Sequence, residues 1–255
     1  MPSDTGTILD TLASPPVTVD RPLALFLDMD GVLAPMAPTP DEVLADPRRT
    51  AVLTQLDAVL GGRMAIISGR TLKEIDRIAD RAALSAAGVH GLERRRRDGA
   101  VDRPQPSEGV AEALAAFRDF AADRPGVVVE DKIVSAGLHF RQSPTVAEEA
   151  VALARDLAAT TGLHLQPGHM VVELRTPGAD KGGAVTAFMG EPPFAGALPV
   201  MLGDDLTDEA GFRAAAALGG FGVLVGPYRS TAARYGLAGV PEVMDWLEAV
   251  AEAGR

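Results

Sequence analysis

Two aspartates one residue apart, Asp28 and Asp30, follow the apolar run Leu23–Leu27 and precede Gly31. The run predicts a buried strand, so both carboxylates are expected where the backbone leaves a sheet. Carboxylates are costly to desolvate and are rarely left unpaired at such a position. A bound cation resolves this conflict, and Mg²⁺ is the hard, oxygen-seeking ion that suits paired carboxylates. The four residues from Asp28 to Gly31 alone leave open the alternative of a loop with two solvated aspartates.

Three further polar clusters stand beside predicted core elements: Ser68-Gly69-Arg70, Lys181-Gly182-Gly183, and Gly203-Asp204-Asp205 with Asp208. Ser68 follows the apolar run Met64–Ile67, and Asp204 follows the run Leu198–Leu202. Lys181 begins a helix, where its charge has the wrong sign for the helix dipole, so a role other than helix formation is expected. In open α/β sheets, ligands bind outside the carboxyl ends of the strands. The four clusters therefore predict one site at this edge.

These residue types suit the hydrolysis of a phosphate monoester, a reaction that needs up to roughly 10²¹-fold acceleration. An aspartyl-phosphate intermediate divides the reaction into two easier steps. That route requires a carboxylate nucleophile, a cation that cancels its repulsion with the phosphate, and a proton donor for the leaving oxygen. It also requires donors for the phosphoryl oxygens. Asp28, Asp30, Asp204, Ser68 and Lys181 provide one residue for each need.

The pattern of apolar runs predicts how these clusters are positioned. Short strands that alternate with single helices predict βαβ units and a parallel, doubly wound α/β sheet. From about residue 104 the order changes to helix, two strands, helix, two strands, which indicates an α+β module with an antiparallel sheet. We therefore expect a loose tail over 1–20, a core over 21–103 and 177–255, and an inserted domain over 104–176. The strands are predicted at Leu23–Leu27, Met64–Ile67, Ser85–Val89, Val127–Lys132, Gly137–Arg141, Leu163–Gln166, Met170–Arg175, Leu198–Leu202 and Gly222–Val225.

The composition of the 255-residue chain excludes several classes of protein. Hydrophobic residues make up 47%, enough for a packed core, and the net charge of −11 argues against a nucleic-acid partner. The basic run Arg94–Arg97 precedes Asp98-Gly99 and predicts a solvated hairpin turn. The sequence has no cysteine, no signal-peptide pattern and no apolar run of membrane-spanning length. We expect a soluble, cytoplasmic protein without disulfides, and a monomer by default.

The polar clusters resemble the four motifs of the haloacid dehalogenase superfamily in their order and in their placement on strands. The resemblance covers residues 22–250 and implies a Rossmann-like core with an inserted α+β cap domain. Further segments resemble the trehalose-6-phosphate phosphatases of that superfamily: Ile67-Ser68-Gly69-Arg70, Gly88-Val89-His90-Gly91-x-Glu93-Arg94, Glu130-x-Lys132, His139-Phe140-Arg141 and Gly203-Asp204-Asp205-Leu206-Thr207-Asp208-Glu209. Val32 stands where the trehalose-6-phosphate phosphatases more often have Thr, and Phe140 where they more often have Tyr.

The resemblance implies a role for each cluster at the carboxyl edge of the sheet. Asp28 would be the nucleophile, and Asp30 would first donate a proton and then activate water. A Mg²⁺ ion would be held by Asp28, the backbone carbonyl of Asp30, and Asp204. Ser68 and Lys181 would bind the phosphoryl oxygens. Asp205 and Asp208 belong to the same metal site, where they orient Lys181 or metal-bound water, and capping of the following helix is a compatible second role.

In the cap of this family a Glu-x-Lys pair and a later Glu grip the distal glucose. The matching positions are Glu130, Lys132 and Glu173. From the residues alone, a solvent-facing salt bridge between Glu130 and Lys132 is the preferred interpretation, because alternate positions of a strand share one face. His139 lies in an alternating segment and is expected to be a satisfied histidine of the sheet. The other candidates for the substrate cleft are Arg70, His90, Gly91 and Arg141.

The predicted function is Mg²⁺-dependent hydrolysis of trehalose 6-phosphate to trehalose and phosphate. An alternative keeps the chemistry and changes the sugar, as in a sucrose-phosphate or glycosylglycerate-phosphate phosphatase. A domain that only accepts a phosphoryl group on Asp28 is disfavoured by Asp30, since a pure acceptor needs no acid–base group beside it. A mutase is conceivable on similar residues, but it would transfer phosphate to a second sugar phosphate and release none.

Overall fold

The computed structural model describes residues 12–37, 39–105, 107–168 and 170–254. Within these residues the chain forms two sheets and seven α-helices. The strands are β1 Leu23–Leu27, β2 Met64–Ile67, β3 Ser85–Gly88, β4 Glu93–Arg95, β5 Val101–Asp102, β6 Val128–Asp131, β7 Ser135–His139, β8 His164–Gly168, β9 Val171–Arg175, β10 Leu198–Gly203, β11 Phe221–Val225 and β12 Tyr235–Leu237. The helices are α1 Pro47–Val59, α2 Leu72–Ile78, α3 Glu108–Ala122, α4 Ala147–Thr161, α5 Lys181–Met189, α6 Glu209–Ala217 and α7 Val240–Ala253.

The larger sheet has eight strands in the order β12-β11-β10-β1-β2-β3-β4-β5. The strands from β12 to β3 pair in parallel, and Leu25 in the centre of β1 lies opposite Met64 of β2 and Val200 of β10. Every residue of β1, β2 and β11 is buried, as parallel strands covered on both faces require. The predicted α/β fold is confirmed. The β4–β5 hairpin, which contains the basic run, extends this sheet with two antiparallel strands.

Both faces of the larger sheet are covered by helices. Leu23, Leu25 and Leu27 pack in one apolar cluster that contains residues of α1, α2 and α7. Ala24 and Phe26 point to the other side and pack in a second cluster that contains residues of α5 and α6. Because the side chains of a strand alternate between the two faces, β1 contributes to both clusters. The carboxyl ends of the strands are left for the loops that carry the polar residues.

The smaller sheet has four antiparallel strands in the order β6-β7-β9-β8. Ala136 and Leu138 of β7 pack with apolar residues of α3 and α4 on one face. Ser135, Gly137 and His139 occupy the alternate positions of β7 and therefore face the other way. This second face is polar. It is directed towards the larger sheet, because Lys132, at the end of β6, donates from Nζ to the carbonyl of Gly69 over 2.9 Å.

Side-chain caps fix the two helices that begin at the polar loops. The Thr71 hydroxyl accepts from the backbone of Glu74, whose carboxylate accepts in turn from the backbone of Thr71 at the start of α2. Asp180 accepts from the backbone of Gly183 over 2.7 Å at the start of α5. The helix α2 ends at Ile78, because the backbone of the following residues at 80 and 81 has a positive φ. No helix in the described parts of the chain combines the length and the apolar character needed to cross a membrane.

The described part of the predicted loose tail lies against the core. Leu12 packs on one apolar cluster of the larger sheet, and Val17 and Val19 pack on the other. The carbonyl of Ala13 accepts a hydrogen bond of 3.0 Å from the backbone of Gly236 in β12. Residues 12–20 therefore differ from the expectation, since burial of their apolar side chains holds them on the core. Residues 1–11 of the predicted tail lie outside the described residues.

Candidate active site

The centre of the candidate site is the buried ammonium of Lys181, the first residue of α5. Its Nζ lies 2.8 Å from Oδ2 of Asp28 and 2.7 Å from Oδ1 of Asp208. Burial alone would lower the pKa of Lys181, but the Asp208 and Asp28 carboxylates hold that pKa above its ordinary value. Lys181 is therefore charged, and it joins the end of β1 to the loop after β10.

Asp208 organises the loop that follows β10. Its Oδ2 accepts from the backbone N–H groups of Asp204 and Asp205 at 2.9 and 3.0 Å, while Oδ1 accepts from Lys181. The side chain packs so closely on Gly203 that a Cβ at position 203 would lie 2.1 Å from its Cγ. Both oxygens of this fully buried carboxylate thus have protein donors.

The other two acidic residues of this loop have different surroundings. The Asp205 carboxylate accepts from the backbone N–H and the hydroxyl of Thr207 at 2.7 and 2.6 Å, so it caps the short turn that leads into α6. Asp204 points towards the end of β1, where a Cβ on Gly31 would lie 2.2 Å from its Oδ2. Gly31 also has φ +74°, a conformation that other residues rarely adopt. The glycine after Asp28-x-Asp30 is therefore required by the approach of Asp204.

Three carboxylates, those of Asp28, Asp204 and Asp208, each have an oxygen within 4.8 Å of the others. Burial raises the pKa of Asp28 well above its usual range, Lys181 opposes this, and Asp208 and Asp204 add to it. Burial, Asp208 and Asp205 together raise the pKa of Asp204 to about 7. A cation between Asp28 and Asp204 would relieve this crowding of negative charge, and hard oxygen donors are the ligands that Mg²⁺ prefers. The residues present fit a Mg²⁺ site.

Asp30 lies beside this cluster and is bound by Arg70. The guanidinium donates to both carboxylate oxygens, from Nε to Oδ2 and from NH2 to Oδ1, each over 2.7 Å. Such a bidentate pair fixes the orientation of both side chains. Arg70 follows Ser68, which is buried and whose Oγ accepts from the backbone N–H of Arg70 over 3.3 Å. The loop after β2 thus holds Asp30 at the mouth of the site.

The segment Val89-His90-Gly91 connects the loop after β2 to the start of α5. All three residues have positive φ values of 48°, 55° and 104°, which is rare outside glycine and costly for a β-branched valine. The His90 ring lies so close to Gly69 that a Cβ there would be 2.7 Å from Nε2. A Cβ on Gly91 would lie 2.8 Å from the carbonyl of Asp180. Close approach therefore explains both glycines.

The polar face of the smaller sheet carries Glu130, Lys132 and Glu173 together. Lys132 Nζ lies 3.1 Å from Glu173 and 3.4 Å from Glu130. Burial would raise the pKa of Glu173, but the charge of Lys132 and the neighbouring His90 hold that pKa below its ordinary value. Burial likewise would lower the pKa of Lys132, which Glu173 and Glu130 raise instead. The structure brings these three predicted residues together and places His90 Nε2 3.8 Å from Glu173.

Two further residues of this network were not assigned to the site from the sequence. Ser135 Oγ donates to Glu173 over 2.6 Å, and His139 Nε2 pairs with Glu130 over 2.8 Å. The partner of His139 agrees with the expectation of a satisfied histidine. Arg141 donates to the carbonyl of Ala37 over 2.7 Å, and so joins the end of the smaller sheet to the loop after β1. The alternation of β7 could have indicated Ser135, but its partner on β9 depends on strand pairing.

The fold is one that solved haloacid dehalogenase-like hydrolases share. A solved structure of such a hydrolase from Bacteroides thetaiotaomicron matches with a TM-score of 0.62 at 14% identity, over 89% of this chain and 98% of that chain. A crystal structure of a protein related to trehalose-6-phosphate phosphatase matches with a TM-score of 0.72 at 26% identity, over 91% of this chain and 98% of that chain.

Sequence comparison narrows this class to a family. The trehalose-6-phosphate phosphatase of Escherichia coli strain K12 is 39% identical over 232 residues, which are 90% of this chain and 87% of that protein. The family model for trehalose-phosphatase matches residues 26–241. The chain therefore belongs to the trehalose-phosphatase family.

Proposed function

We propose that this protein hydrolyses trehalose 6-phosphate to trehalose and inorganic phosphate. The observation that carries the proposal is that two charged clusters, one on the larger sheet and one on the smaller sheet, face each other. Asp28, Lys181 and Asp208 form a buried group suited to phosphoryl transfer, and Glu130, Lys132 and Glu173 form a group suited to sugar hydroxyls. Gly69 belongs to the first region and accepts from Lys132 of the second, so one bound molecule can contact both.

In this proposal Asp28 attacks the phosphorus, the bond from phosphorus to the sugar oxygen breaks, and an aspartyl-phosphate forms. Oδ1 of Asp28 is held by the backbone N–H of Met29 over 2.7 Å, which orients the carboxylate. Asp30 gives a proton to the leaving sugar oxygen and then takes one from the water that hydrolyses the intermediate. Lys181 and Ser68 bind the phosphoryl oxygens.

The metal in this proposal is Mg²⁺, bound by Asp28, Asp204 and the backbone carbonyl of Asp30. It would offset the repulsion between the Asp28 carboxylate and the phosphate dianion. Asp208 acts by positioning Lys181 and the backbone of Asp204, because both of its oxygens accept from these groups. Asp205 supports the same loop through its cap.

The polar face of residues 104–176 binds the sugar in this proposal, and these residues form a cap domain on the core of 21–103 and 177–255. Closure of such a cap excludes bulk water while the intermediate forms. Glu130, Lys132 and Glu173 bind the distal glucose, and Arg70, His90 and Gly91 line the passage to the phosphoryl site. The proposed location is the cytoplasm, with which a cysteine-free chain is compatible. The monomeric state stays a prediction.

The first experiment is phosphate release from trehalose 6-phosphate with Mg²⁺, beside sucrose 6-phosphate and glucose 6-phosphate, each with an EDTA control. We expect chelator-sensitive turnover of trehalose 6-phosphate and little of the other two. Asp28→Asn should abolish it, whereas the matched variant Asp98→Asn, in the exposed hairpin turn, should not. Preference for another ester would keep the mechanism and overturn the substrate. A folded Asp28→Asn protein that retains substantial turnover would refute the covalent route.

A further inference from the structure

A row of four paired residues crosses the polar face of the smaller sheet. Glu130 pairs with Gly137, Gly137 with Glu173, and Glu173 with Gln166. Residues directly opposite each other on neighbouring strands point to the same face. Gln166 of β8 therefore belongs to the face that carries Glu130 and Glu173.

Gln166 lines a cavity of about 180 Å³ between the two sheets. Arg175 lies on the same face of the smaller sheet, two residues after Glu173, and also lines this cavity. Its opposite wall is formed by residues of the core that include His90, Asp180 and Lys181. The cavity thus lies between the phosphoryl end of the site and the row that contains Glu173.

Three residues that line the cavity have polar atoms with few or no protein partners. Within the described residues, neither His90 Nδ1 nor Arg175 Nε has a hydrogen-bond partner, although both atoms are buried. The whole Arg175 side chain is buried, and its NH1 donates to the carbonyl of Ala179. The Gln166 amide has one long contact, 3.3 Å to the carbonyl of the next residue. Because the Gln166 side chain is only partly buried and makes this one weak contact, its amide can bind a polar occupant of the cavity.

We propose that this cavity is a subsite for sugar hydroxyls, in which the Gln166 amide binds hydroxyls of the phosphorylated sugar. A hydroxyl donates and accepts, which matches an amide that offers both functions. The proposal rests on the proposed function and deepens it. It adds Gln166 to the residues that determine sugar specificity, beyond the group of Glu130, Lys132 and Glu173.

The test compares wild type with Gln166→Leu, which keeps the side-chain size and removes the hydrogen bonds. We expect KM for trehalose 6-phosphate to rise about 10-fold with kcat within about twofold, since one or two hydrogen bonds are lost. Turnover of p-nitrophenyl phosphate, which has no sugar, should be unchanged. The control Gln142→Leu alters an exposed glutamine after β7 and should match wild type. Melting temperatures verify that both variants are folded.

Calorimetric titration with trehalose gives a readout that needs no catalysis. Wild type should bind trehalose, and Gln166→Leu should bind it about 10-fold more weakly. The subsite would be overturned if wild type did not bind trehalose, or if wild type and Gln166→Leu bound it equally well. It would also be overturned if Gln166→Leu lost activity equally on trehalose 6-phosphate and p-nitrophenyl phosphate. Failure of the proposed function looks different, because wild type would then release no phosphate from trehalose 6-phosphate whatever the result for Gln166.

Discussion

Substitution of Asp208 by asparagine tests whether this residue is a structural organiser or a metal ligand. The wild-type carboxylate accepts from Lys181 Nζ at 2.7 Å and from the backbone N–H groups of Asp204 and Asp205 at 2.9 and 3.0 Å. An asparagine has one oxygen and one NH₂ group, so it cannot accept on both sides. In either orientation, its NH₂ faces a donor.

The loss of stability in Asp208→Asn follows from the groups that lose their hydrogen-bond acceptor. If the oxygen faces the two backbone N–H groups, a charge-assisted bond to Lys181 is lost, worth about 1.5–3 kcal/mol. If it faces Lys181, two partly buried N–H groups lose their acceptor, at a cost of up to about 1–3 kcal/mol each. We therefore expect a loss of about 3 kcal/mol in the free energy of unfolding. For a chain of this size this corresponds to a fall in melting temperature of about 6–12 °C.

The measurement is thermal unfolding in EDTA, followed by circular dichroism. Without metal, a side chain that only ligates Mg²⁺ contributes no binding energy, so a large loss in EDTA identifies the structural role. Asp205→Asn is the matched control, because asparagine caps helices as well as aspartate does, and it should melt within about 2 °C of wild type. An Asp208→Asn protein that also melts within about 2 °C of wild type in EDTA would refute the reasoning.

Three further variants or conditions test the geometry of the site. Gly31→Ala places a Cβ 2.2 Å from Asp204 Oδ2, at a backbone φ of +74°. Because Asp204 must then move, the Mg²⁺ concentration for half activation should rise more than 10-fold. An unchanged Mg²⁺ titration would contradict the close approach. In the metal-free protein the pKa of Asp204 is raised to about 7, so the folded state holds a proton that the unfolded state loses at about pH 4. The free energy of unfolding should therefore fall as the pH rises from about 4 to 7. Since Mg²⁺ binds the ionised carboxylate, it should stabilise the protein more at pH 8 than at pH 6, which melting curves with and without Mg²⁺ measure. Glu130→Gln should raise KM for trehalose 6-phosphate about 10-fold and spare p-nitrophenyl phosphate, whereas Asp131→Asn, on the opposite face of β6, should change neither KM.

The strands that lead to the phosphoryl site could be predicted from local sequence. The strands β1 and β2 are short and wholly apolar, and both have the bounds that the sequence predicts. The strand β7 begins at Ser135, two residues before its prediction, because pairing with β9 determines its ends and Ser135 carries no apolar signal. The strand β12 has three residues around a glycine and forms only through its pairing with β11, so no local pattern indicates it.

Within the candidate site, too, some features follow from local sequence and others depend on tertiary contacts. Asp28, Lys181 and Asp204 stand at the ends of elements that the sequence predicts, so their proximity follows from the fold class. The pairing of Asp30 with Arg70 joins residues 40 positions apart and depends on the exact approach of two loops. Gln166 reaches the polar face only through the register of β8 on β9, which a one-residue shift would reverse. Local sequence therefore could not predict the contacts that depend on strand register or on how closely two loops approach each other.

The strained turn Val89-His90-Gly91 connects the two ends of the site. Three successive positive φ values are unfavourable, so surrounding contacts must hold them. Those contacts run from His90 to Gly69 in the loop after β2, from His90 to Glu173 on β9, and from Gly91 to Asp180 at the start of α5. This one turn therefore contacts both the cluster around Glu173 and the start of the helix that carries Lys181. The ring of His90 makes two of these contacts, which a glycine at position 90 could not make.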